Sequence, residues 1–135
     1  MKYVLAAGGA GYIGSHACKS LRRAGFTPVT FDNLNTGWKE SVKFGPFEQG
    51  DLLSRADIDL VFEKYSPIAV MHFAALSQVG ESIEKPKLYW ENNVMGSLNL
   101  IQSKIDNHRC LALASDRTLF RIVSDLHPQN SSKLT

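Results

Sequence analysis

The chain has few cysteines, no block of basic residues and no long hydrophobic run. Its two cysteines, Cys18 and Cys110, have neither metal-ligand spacing nor the pattern of a secreted disulfide framework, so we expect both to be reduced packing residues. The net charge of +2 is spread along the chain, which argues against a nucleic-acid-binding arm. No run of about 18 apolar residues could span a bilayer, and the first residues enter a predicted strand at once, leaving no room for a signal peptide. We therefore expect a cytoplasmic protein with no nucleic-acid, membrane or metal partner.

Residues 2–14 are typical of a buried strand, a glycine-rich turn and the start of a helix. The apolar run Tyr3–Ala7 resembles a parallel-sheet strand, and Gly8, Gly11 and Gly14 follow at intervals of three residues. Such glycines allow a tight turn, a close approach of backbone N–H groups to a diphosphate, and close packing of the helix on the strand. The helix then directs the positive end of its dipole at the anion. A strand-to-helix turn without any ligand can also use glycines.

A second predicted strand, Thr27–Phe31, ends at Asp32, 18 residues after Gly14. In dinucleotide-binding folds a carboxylate at this point accepts hydrogen bonds from the adenosine ribose and repels the 2′-phosphate of NADP. An aspartate can also open an ordinary turn. The carboxylate and the glycine turn together favour a dinucleotide-binding βαβ unit, and the turn-forming run 33–37 could fold over an adenosine.

The rest of the chain alternates between helix and strand, and its 135 residues leave room for one domain. We predict a helix over 13–24, an edge strand over 44–49, a helix from the cap Ser54 to Tyr65, a strand over 68–73, a helix over 87–105 and a strand over 110–114. This order predicts an α/β fold with a doubly wound, Rossmann-type parallel sheet in the strand order 3-2-1-4-5.

Two segments of this pattern suggest function. The segment 76–86 follows the predicted central strand and is expected to be either a functional loop or a plain connector. Asn92 and Asn93 fall inside the predicted helix 87–105, where asparagine is unfavourable, so they indicate a hydrogen bond to a loop or cofactor, or a solvated face. His72 is expected to be a buried histidine with a satisfied hydrogen bond.

Six motifs together resemble the UDP-glucose 4-epimerases of the extended short-chain dehydrogenase/reductase family. They are 8–16 (GGAGYIGSH), 32–37 (DNLNTG), 50–52 (GDL), 72–76 (HFAAL), 79–82 (VGES) and 92–94 (NNV). The resemblance covers about residues 2–103 and is more specific than the glycines alone. Nucleotide-sugar 4,6-dehydratases share the glycine turn, and an epimerase or dehydratase for another nucleotide sugar stays an alternative.

The resemblance implies that NAD is the cofactor. It implies that the glycine turn binds the diphosphate, the segment after the second strand the ribose, the 51–52 pair the adenine, and the end of the fourth strand the nicotinamide side. The cofactor-binding residues it implies are Gly8, Gly11, Tyr12, Ile13, Gly14, Asp32, Asn33, Leu34, Asn35, Thr36, Gly37, Asp51, Leu52, Phe73, Ala74, Ala75, Leu76, Ser77 and Asn92. Intact members interconvert UDP-glucose and UDP-galactose through a 4-keto intermediate, and a homodimer is compatible with the resemblance.

The chain departs from the family at the catalytic base, a tyrosine with a lysine four residues later. Four residues after Tyr3, Tyr12, Tyr65 and Tyr89 stand Ala7, His16, Ala69 and Asn93. We therefore name no catalytic residue. From about residue 104 the likeness fades, so we expect a truncated or frame-shifted product with an NAD-binding domain over 1–115 and a tail unlike the family over 116–135.

The leading interpretation is the NAD-binding part of a UDP-glucose 4-epimerase, inactive alone. A non-catalytic NAD-binding or redox-sensing module is the second interpretation, because loss of the catalytic pair would not impair it. A non-functional gene remnant is the third.

Overall fold

The computed structural model describes residues 1–74, 79–107 and 110–113. In this part of the chain five strands form one sheet in the order β3-β2-β1-β4-β5, and every pairing between neighbours is parallel. The strands are β1 (Tyr3–Ala7), β2 (Thr27–Asp32), β3 (Phe47–Gln49), β4 (Ala69–His72) and β5 (Cys110–Leu113). The predicted fold class and strand order are confirmed.

Helices connect β1 to β2, β3 to β4 and β4 to β5, while the connection from β2 to β3 contains a short 3₁₀ turn. They are α1 (Tyr12–Arg23), α2 (Arg55–Tyr65), α3 (Val79–Glu84), α4 (Pro86–Trp90) and α5 (Gly96–Asp106), with a 3₁₀ turn at Lys39–Ser41 and a π-helical turn at Glu91–Met95 that joins α4 to α5. Among the described residues, no helix is both long and apolar enough to cross a bilayer.

Alternating side chains of the strands fill two cores, one on each face of the sheet. On one face Leu5, Val29 and Val70 pack in a cluster that also contains residues of α2 and α5. On the other face Val4 and Met71 pack with residues of α1 and of the loop after it. Because the paired strands all run parallel, their carboxyl ends lie at the same edge of the sheet, where ligands bind in this class of fold.

The cysteine predicted to lie in the first helix packs as expected. Cys18 is a free, buried thiol, 3.7 Å from the hydroxyl oxygen of Thr30. Burial raises the pKa of the Cys18 thiol above its usual value, which keeps it protonated and unreactive. The side chain of Cys110 lies outside the described residues.

Two sequence predictions need correction. The segment 76–86 is not simply a loop, because Val79–Glu84 forms α3, while residues 75–78 lie outside the described part of the chain. In the predicted helix 87–105, a regular helical period places Leu98 on the buried side, yet this side chain is 53% exposed.

The π-helical turn accounts for the second error. The residues of this helical segment that face the protein are spaced by four, four, four and three positions: Leu88, Asn92, Gly96, Leu100 and Ser103. An α-helix with 3.6 residues per turn would drift off this line, whereas the wider π turn keeps it in register. The π turn adds one residue to the helical segment. The side of the segment that is buried therefore differs from the side that a regular α-helical period predicts, which leaves Leu98 exposed.

Candidate functional site

The turn between β1 and α1 brings three chain segments into close contact. The amide of Gly8 donates to the carbonyl oxygen of Phe31 at 2.8 Å, and the φ of Gly8 is +81°. A Cβ on Gly8 would lie 2.6 Å from the amide nitrogen of Ala74, and one on Gly14 would overlap the carbonyl oxygen of Gly8. The fold itself therefore requires glycine at positions 8 and 14.

Gly11 is different, because neither its backbone conformation nor a contact with the described residues requires a glycine there. It is the N-cap of α1 with a φ of −78°, which any residue can adopt, and a Cβ would meet only the carbonyl oxygen of Gly8 at an ordinary 3.4 Å. No side chain caps the helix at this residue. The N–H groups of the first turn have no acceptor within the helix, so they are available to an anion.

Asp32 connects the glycine turn to the segment after β2. Its two carboxylate oxygens accept from the backbone amides of Ala10, at 3.0 Å, and Leu34, at 2.9 Å. Leu34 has a φ of +62°, so the hydrogen bond from its amide helps to hold an unfavourable backbone conformation. Each carboxylate oxygen has a further lone pair for a ligand hydroxyl.

These segments surround a cavity at the carboxyl ends of the strands. Its volume is about 290 Å³, close to the lower end of the range of roughly 300–1,000 Å³ for small-molecule sites. The lining residues are Gly8, Gly11, Phe31, Asp32, Asn33, Asn35, Thr36, Gly50, Asp51, Leu52, Phe73, Ala74, Glu81, Leu88 and Asn92.

Most of the residues predicted from the sequence line this cavity. Those that do are Gly8, Gly11, Asp32, Asn33, Asn35, Thr36, Asp51, Leu52, Phe73, Ala74 and Asn92. Tyr12 and Ile13 lie in the first turn of α1, where the Tyr12 side chain is 82% exposed, and Gly14 is buried beneath them. Ala75, Leu76 and Ser77 lie outside the described residues.

Two predicted residues have a supporting position instead. A Cβ on Gly37 would lie 2.9 Å from Cβ of Ala10, and the amide of Trp38 donates to the Ala10 carbonyl oxygen at 3.1 Å. Gly37 therefore packs the segment after β2 against the glycine turn, and Leu34 is held by Asp32. Neither lines the cavity.

Sequence reasoning did not single out four lining residues: Phe31, Gly50, Glu81 and Leu88. The first two are sequence neighbours of predicted residues, and Glu81 belongs to the motif 79–82. Leu88 precedes Asn92 by four positions on one helical face, which was the available signal for it.

The cavity wall is acidic. Asp32, Asp51 and Glu81 line it, and no lysine or arginine is among its described lining residues. An anionic group of a ligand would therefore be bound by backbone N–H groups and the α1 dipole, not by side-chain cations. Among the residues that the structure describes, no cluster of histidine, cysteine and carboxylate side chains could hold a metal ion.

The end of β4 is tied to the π-helical turn and to α5. Asn92 donates from Nδ2 to the carbonyl oxygen of Ala74 at 3.0 Å, and Nε2 of His72 lies 2.8 Å from the hydroxyl oxygen of Ser97. His72 is thus hydrogen-bonded, as expected from the sequence, but half-buried instead of fully buried, and this partial burial lowers its pKa.

Residues 4–118 match the NAD dependent epimerase/dehydratase family. The chain belongs to this family. Since the match extends to residue 118, the expected loss of family likeness from about residue 104 was placed too early.

The most similar relatives include UDP-glucose 4-epimerases. The enzyme of Rhizobium leguminosarum bv. trifolii is 51% identical over 100 residues, which are 74% of this chain and 31% of that protein. The UDP-glucose 4-epimerase of Brucella ovis in complex with NAD superimposes with a TM-score of 0.82 at 43% identity, covering 85% of this chain and 36% of that one. A Stenotrophomonas maltophila UDP-glucose 4-epimerase with NAD and formylated UDP-arabinopyranose gives a TM-score of 0.79 at 34% identity, covering 87% and 38%. The chain spans about a third of the length of the curated relatives it matches.

Proposed function

We propose that this chain is the NAD-binding part of a UDP-glucose 4-epimerase. The family membership and the NAD complexes of similar epimerases support this assignment. The observation that carries it is Gly11, which the fold leaves free to be any residue but which lines the cavity at the amino end of α1. A glycine there is explained by a ligand whose phosphates approach the backbone closely.

The residues around the cavity fit the parts of NAD. The N–H groups of Tyr12 and Ile13, which have no acceptor within the helix, would bind the diphosphate, while the Gly11 amide donates to the carbonyl oxygen of Gly8 at 3.2 Å. Asp32 would accept hydrogen bonds from the adenosine ribose, and the acidic wall would disfavour the extra phosphate of NADP.

The other predicted residues would contact the remainder of the cofactor. Asp51 and Leu52 would flank the adenine, while Phe73 and Ala74, with the predicted 75–77, would line the nicotinamide side. Asn92 would reach the cofactor from the π turn. When bound, NAD would accept a hydride from C4 of a nucleotide sugar. The proposed substrates of the intact enzyme are UDP-glucose and UDP-galactose.

Calorimetric titration with NAD tests the assignment through matched glycine variants. Gly11→Ala should fold like the original chain but bind NAD more weakly, because the new methyl group enters the ligand space. We expect a loss of about 1–3 kcal/mol in binding free energy, as is typical of overpacking. Gly80→Ala is the control, since a Cβ there meets nothing within 4 Å and should leave binding unchanged.

A third variant, Gly8→Ala, replaces a glycine that the fold requires, whereas Gly11→Ala replaces one that the proposed ligand requires. Because its Cβ would lie 2.6 Å from backbone atoms at the end of β4 and its φ is positive, it should destabilise the fold in a thermal melt. Wild-type affinity in a folded Gly11→Ala protein, or no binding of NAD by the original chain, would contradict the proposal.

The second candidate function is a non-catalytic NAD-binding module. It is favoured by one observation, the lack of any tyrosine followed four residues later by lysine in the whole sequence. A module of this kind binds NAD with an affinity that UDP-galactose does not change, whereas a nucleotide-sugar site would couple the two ligands.

The domain division at residue 115, a homodimer and a cytoplasmic location stay predictions. Exposed apolar side chains on α4 and α5, such as Trp90 and Ile105, are compatible with a partner surface.

A further inference from the structure

The imidazole of His72 bridges the end of β4 and the start of α5. Its Nδ1 lies 3.3 Å from the amide nitrogen of Ala74, and its Nε2 lies 2.8 Å from Oγ of Ser97. The Ser97 hydroxyl in turn lies 2.6 Å from the carbonyl oxygen of Asn93 in the π turn. One ring therefore connects the lining residue Ala74 to the helical segment on the other side of the cavity.

The chemistry of these partners fixes the protonation state of the ring. A backbone N–H can only donate, so Nδ1 must be the acceptor for Ala74. The single proton of a neutral imidazole is then on Nε2 and is donated to Ser97, whose own hydroxyl proton goes to Asn93. All three hydrogen bonds are satisfied by this tautomer, and a second proton on Nδ1 would break the bond to Ala74.

We propose that His72 is a positioning residue for the bound cofactor: its neutral ring fixes the Ala74 peptide at the cavity wall, and protonation of the ring releases that peptide and weakens cofactor binding. This inference rests on the proposed function, because it takes NAD as the ligand of the cavity.

The Ala74 peptide has little tolerance for movement. The backbone N–H of Ala74 donates to Nδ1 of His72, and its carbonyl oxygen accepts from Nδ2 of Asn92. The Ala74 nitrogen would lie only 2.6 Å from a Cβ on Gly8. A shift of this peptide therefore changes the contact between the end of β4 and the glycine turn. Both of these segments line the cavity.

The setting of the ring determines the sign of the pH effect. Burial lowers the pKa of His72 from its ordinary value of 6.5, and no charged side chain among the described residues hydrogen-bonds to it. The contribution of the neutral ring is therefore present at neutral pH and is lost only as the pH falls through this lowered pKa.

Other titratable groups lie on the elements around His72, and the experiment must separate their effects from that of the ring. The cavity wall contributes Asp32, Asp51 and Glu81, and the π turn contributes Glu91, which lies 3.7 Å from Lys87. On the strands beside β4, the residues in register with His72 are Ala7 of β1 and Leu113 of β5.

A second described histidine, His16, lies on α1 and packs edge-to-face on Tyr12, with ring centroids 4.8 Å apart. Because the Ala74 amide donates to His72, the His16→Asn variant is the matched control for the loss of a histidine elsewhere in the fold.

The test is a calorimetric titration of the full chain with NAD from pH 8 to one pH unit below the titration midpoint of the His72 ring, as measured by NMR of the free chain, with His72→Asn and His16→Asn compared with the original. The side chain introduced by His72→Asn keeps an acceptor oxygen for the amide two residues later and does not titrate. We expect the original affinity to fall at low pH by up to about tenfold per pH unit, as for one linked proton. His72→Asn should bind within about threefold of the original at pH 8 and lose most of the slope, while His16→Asn should keep it.

A slope that His72→Asn leaves intact, or an affinity of the original chain that does not change with pH, overturns the inference. Absence of NAD binding at pH 8 in all three proteins would instead overturn the proposed function.

The positioning contact can be read without any ligand. In an NMR titration of the free chain, the Ala74 amide should shift and exchange faster with solvent as His72 gains its second proton, and its shift should report the same midpoint as the ring. In His72→Asn the Ala74 amide should show no such midpoint. An Ala74 amide that is insensitive to the titration of His72 overturns the inference whether or not NAD binds.

Discussion

The carboxylate oxygens of Asp32 hold the glycine turn in place, and the same oxygens are proposed to bind the ligand. The carboxylate accepts one backbone N–H from the glycine turn and one from the segment after β2, at Ala10 and Leu34. A carboxylate that holds both segments in place needs no rearrangement to accept a ribose hydroxyl. Removing it should therefore affect both the stability of the fold and the affinity for NAD.

Asp32→Ala should weaken NAD binding by about 1–3 kcal/mol, the loss expected when hydrogen bonds to a charged group are removed. Calorimetry measures the affinity, and urea unfolding measures the accompanying loss of stability. Asp32→Asn is the matched control: it keeps one acceptor oxygen and the side-chain shape but removes the charge, so it should lie between the original and the alanine variant. Equal NAD affinity for Asp32→Ala and the original chain would remove Asp32 from the site.

The glycines show the limit of reading a residue from its type alone. The spacing of Gly8, Gly11 and Gly14 predicted the turn, but only the structure separates the two that the fold requires from the one that it does not. Gly37, which was predicted to bind the cofactor, packs on Ala10 and does not line the cavity, and its contact with the cofactor stays a prediction. Such roles depend on what lies opposite a residue in space, which a single sequence does not contain.

At the scale of elements, the parts predicted well are those whose signals are local. The bounds of β1 were predicted to the residue because a short apolar run ends at a glycine. The start of α2 was predicted by Ser54, whose hydroxyl accepts from the amide of Asp57 at 3.4 Å. The carboxylate of Asp57, however, accepts from Asp51 instead of returning to the cap residue.

The π-helical turn at Glu91–Met95 could not be predicted in this way. Its wider spacing places Asn92 where it can donate to Ala74 and leaves the Asn93 carbonyl oxygen an acceptor for Ser97. The contact with Ala74 is tertiary, whereas Ser97 lies four residues along the same helical segment, so the interruption is stabilised by one tertiary and one local hydrogen bond. A search for a 3.6-residue period treats such a turn as regular helix and misplaces the buried side.

Two asparagines of this helical segment provide a matched pair. Asn92 donates to the Ala74 carbonyl oxygen at 3.0 Å and lines the cavity, while Asn99 donates to the Leu52 carbonyl oxygen at 2.8 Å and does not line it. Each alanine variant should lose about 1 kcal/mol of unfolding free energy, the typical value of one such hydrogen bond. Urea unfolding measures this loss.

Only Asn92→Ala should also weaken NAD binding beyond what its stability loss explains. A titration at a temperature where both variants are fully folded makes the comparison fair. If Asn99→Ala weakened binding as much as Asn92→Ala, the contact of Asn92 with the cofactor would have no support.

At the scale of the whole molecule, the described residues form a cavity that fits a dinucleotide, and no tyrosine of the given sequence has a lysine four residues later. The sheet, the glycine turn and the acidic wall fit a dinucleotide, and the chain spans about a third of its curated relatives. Epimerisation at C4 also needs a base that removes the hydroxyl proton as hydride leaves the carbon. No tyrosine of the chain has the lysine four residues later that the family uses to lower a tyrosine pKa.

We therefore expect the purified chain to bind NAD and to show no conversion of UDP-galactose to UDP-glucose above background. NMR of the sugar anomeric protons measures the conversion, with NAD binding measured on the same preparation. Because a trace of host epimerase would mimic activity, the Gly11→Ala protein is assayed alongside, purified in the same way. Conversion that scales with the amount of the original chain but disappears in Gly11→Ala would show that this chain supplies a base of its own. A polar group beside the cavity would then have to take the place of the tyrosine, and Glu81 is the first candidate.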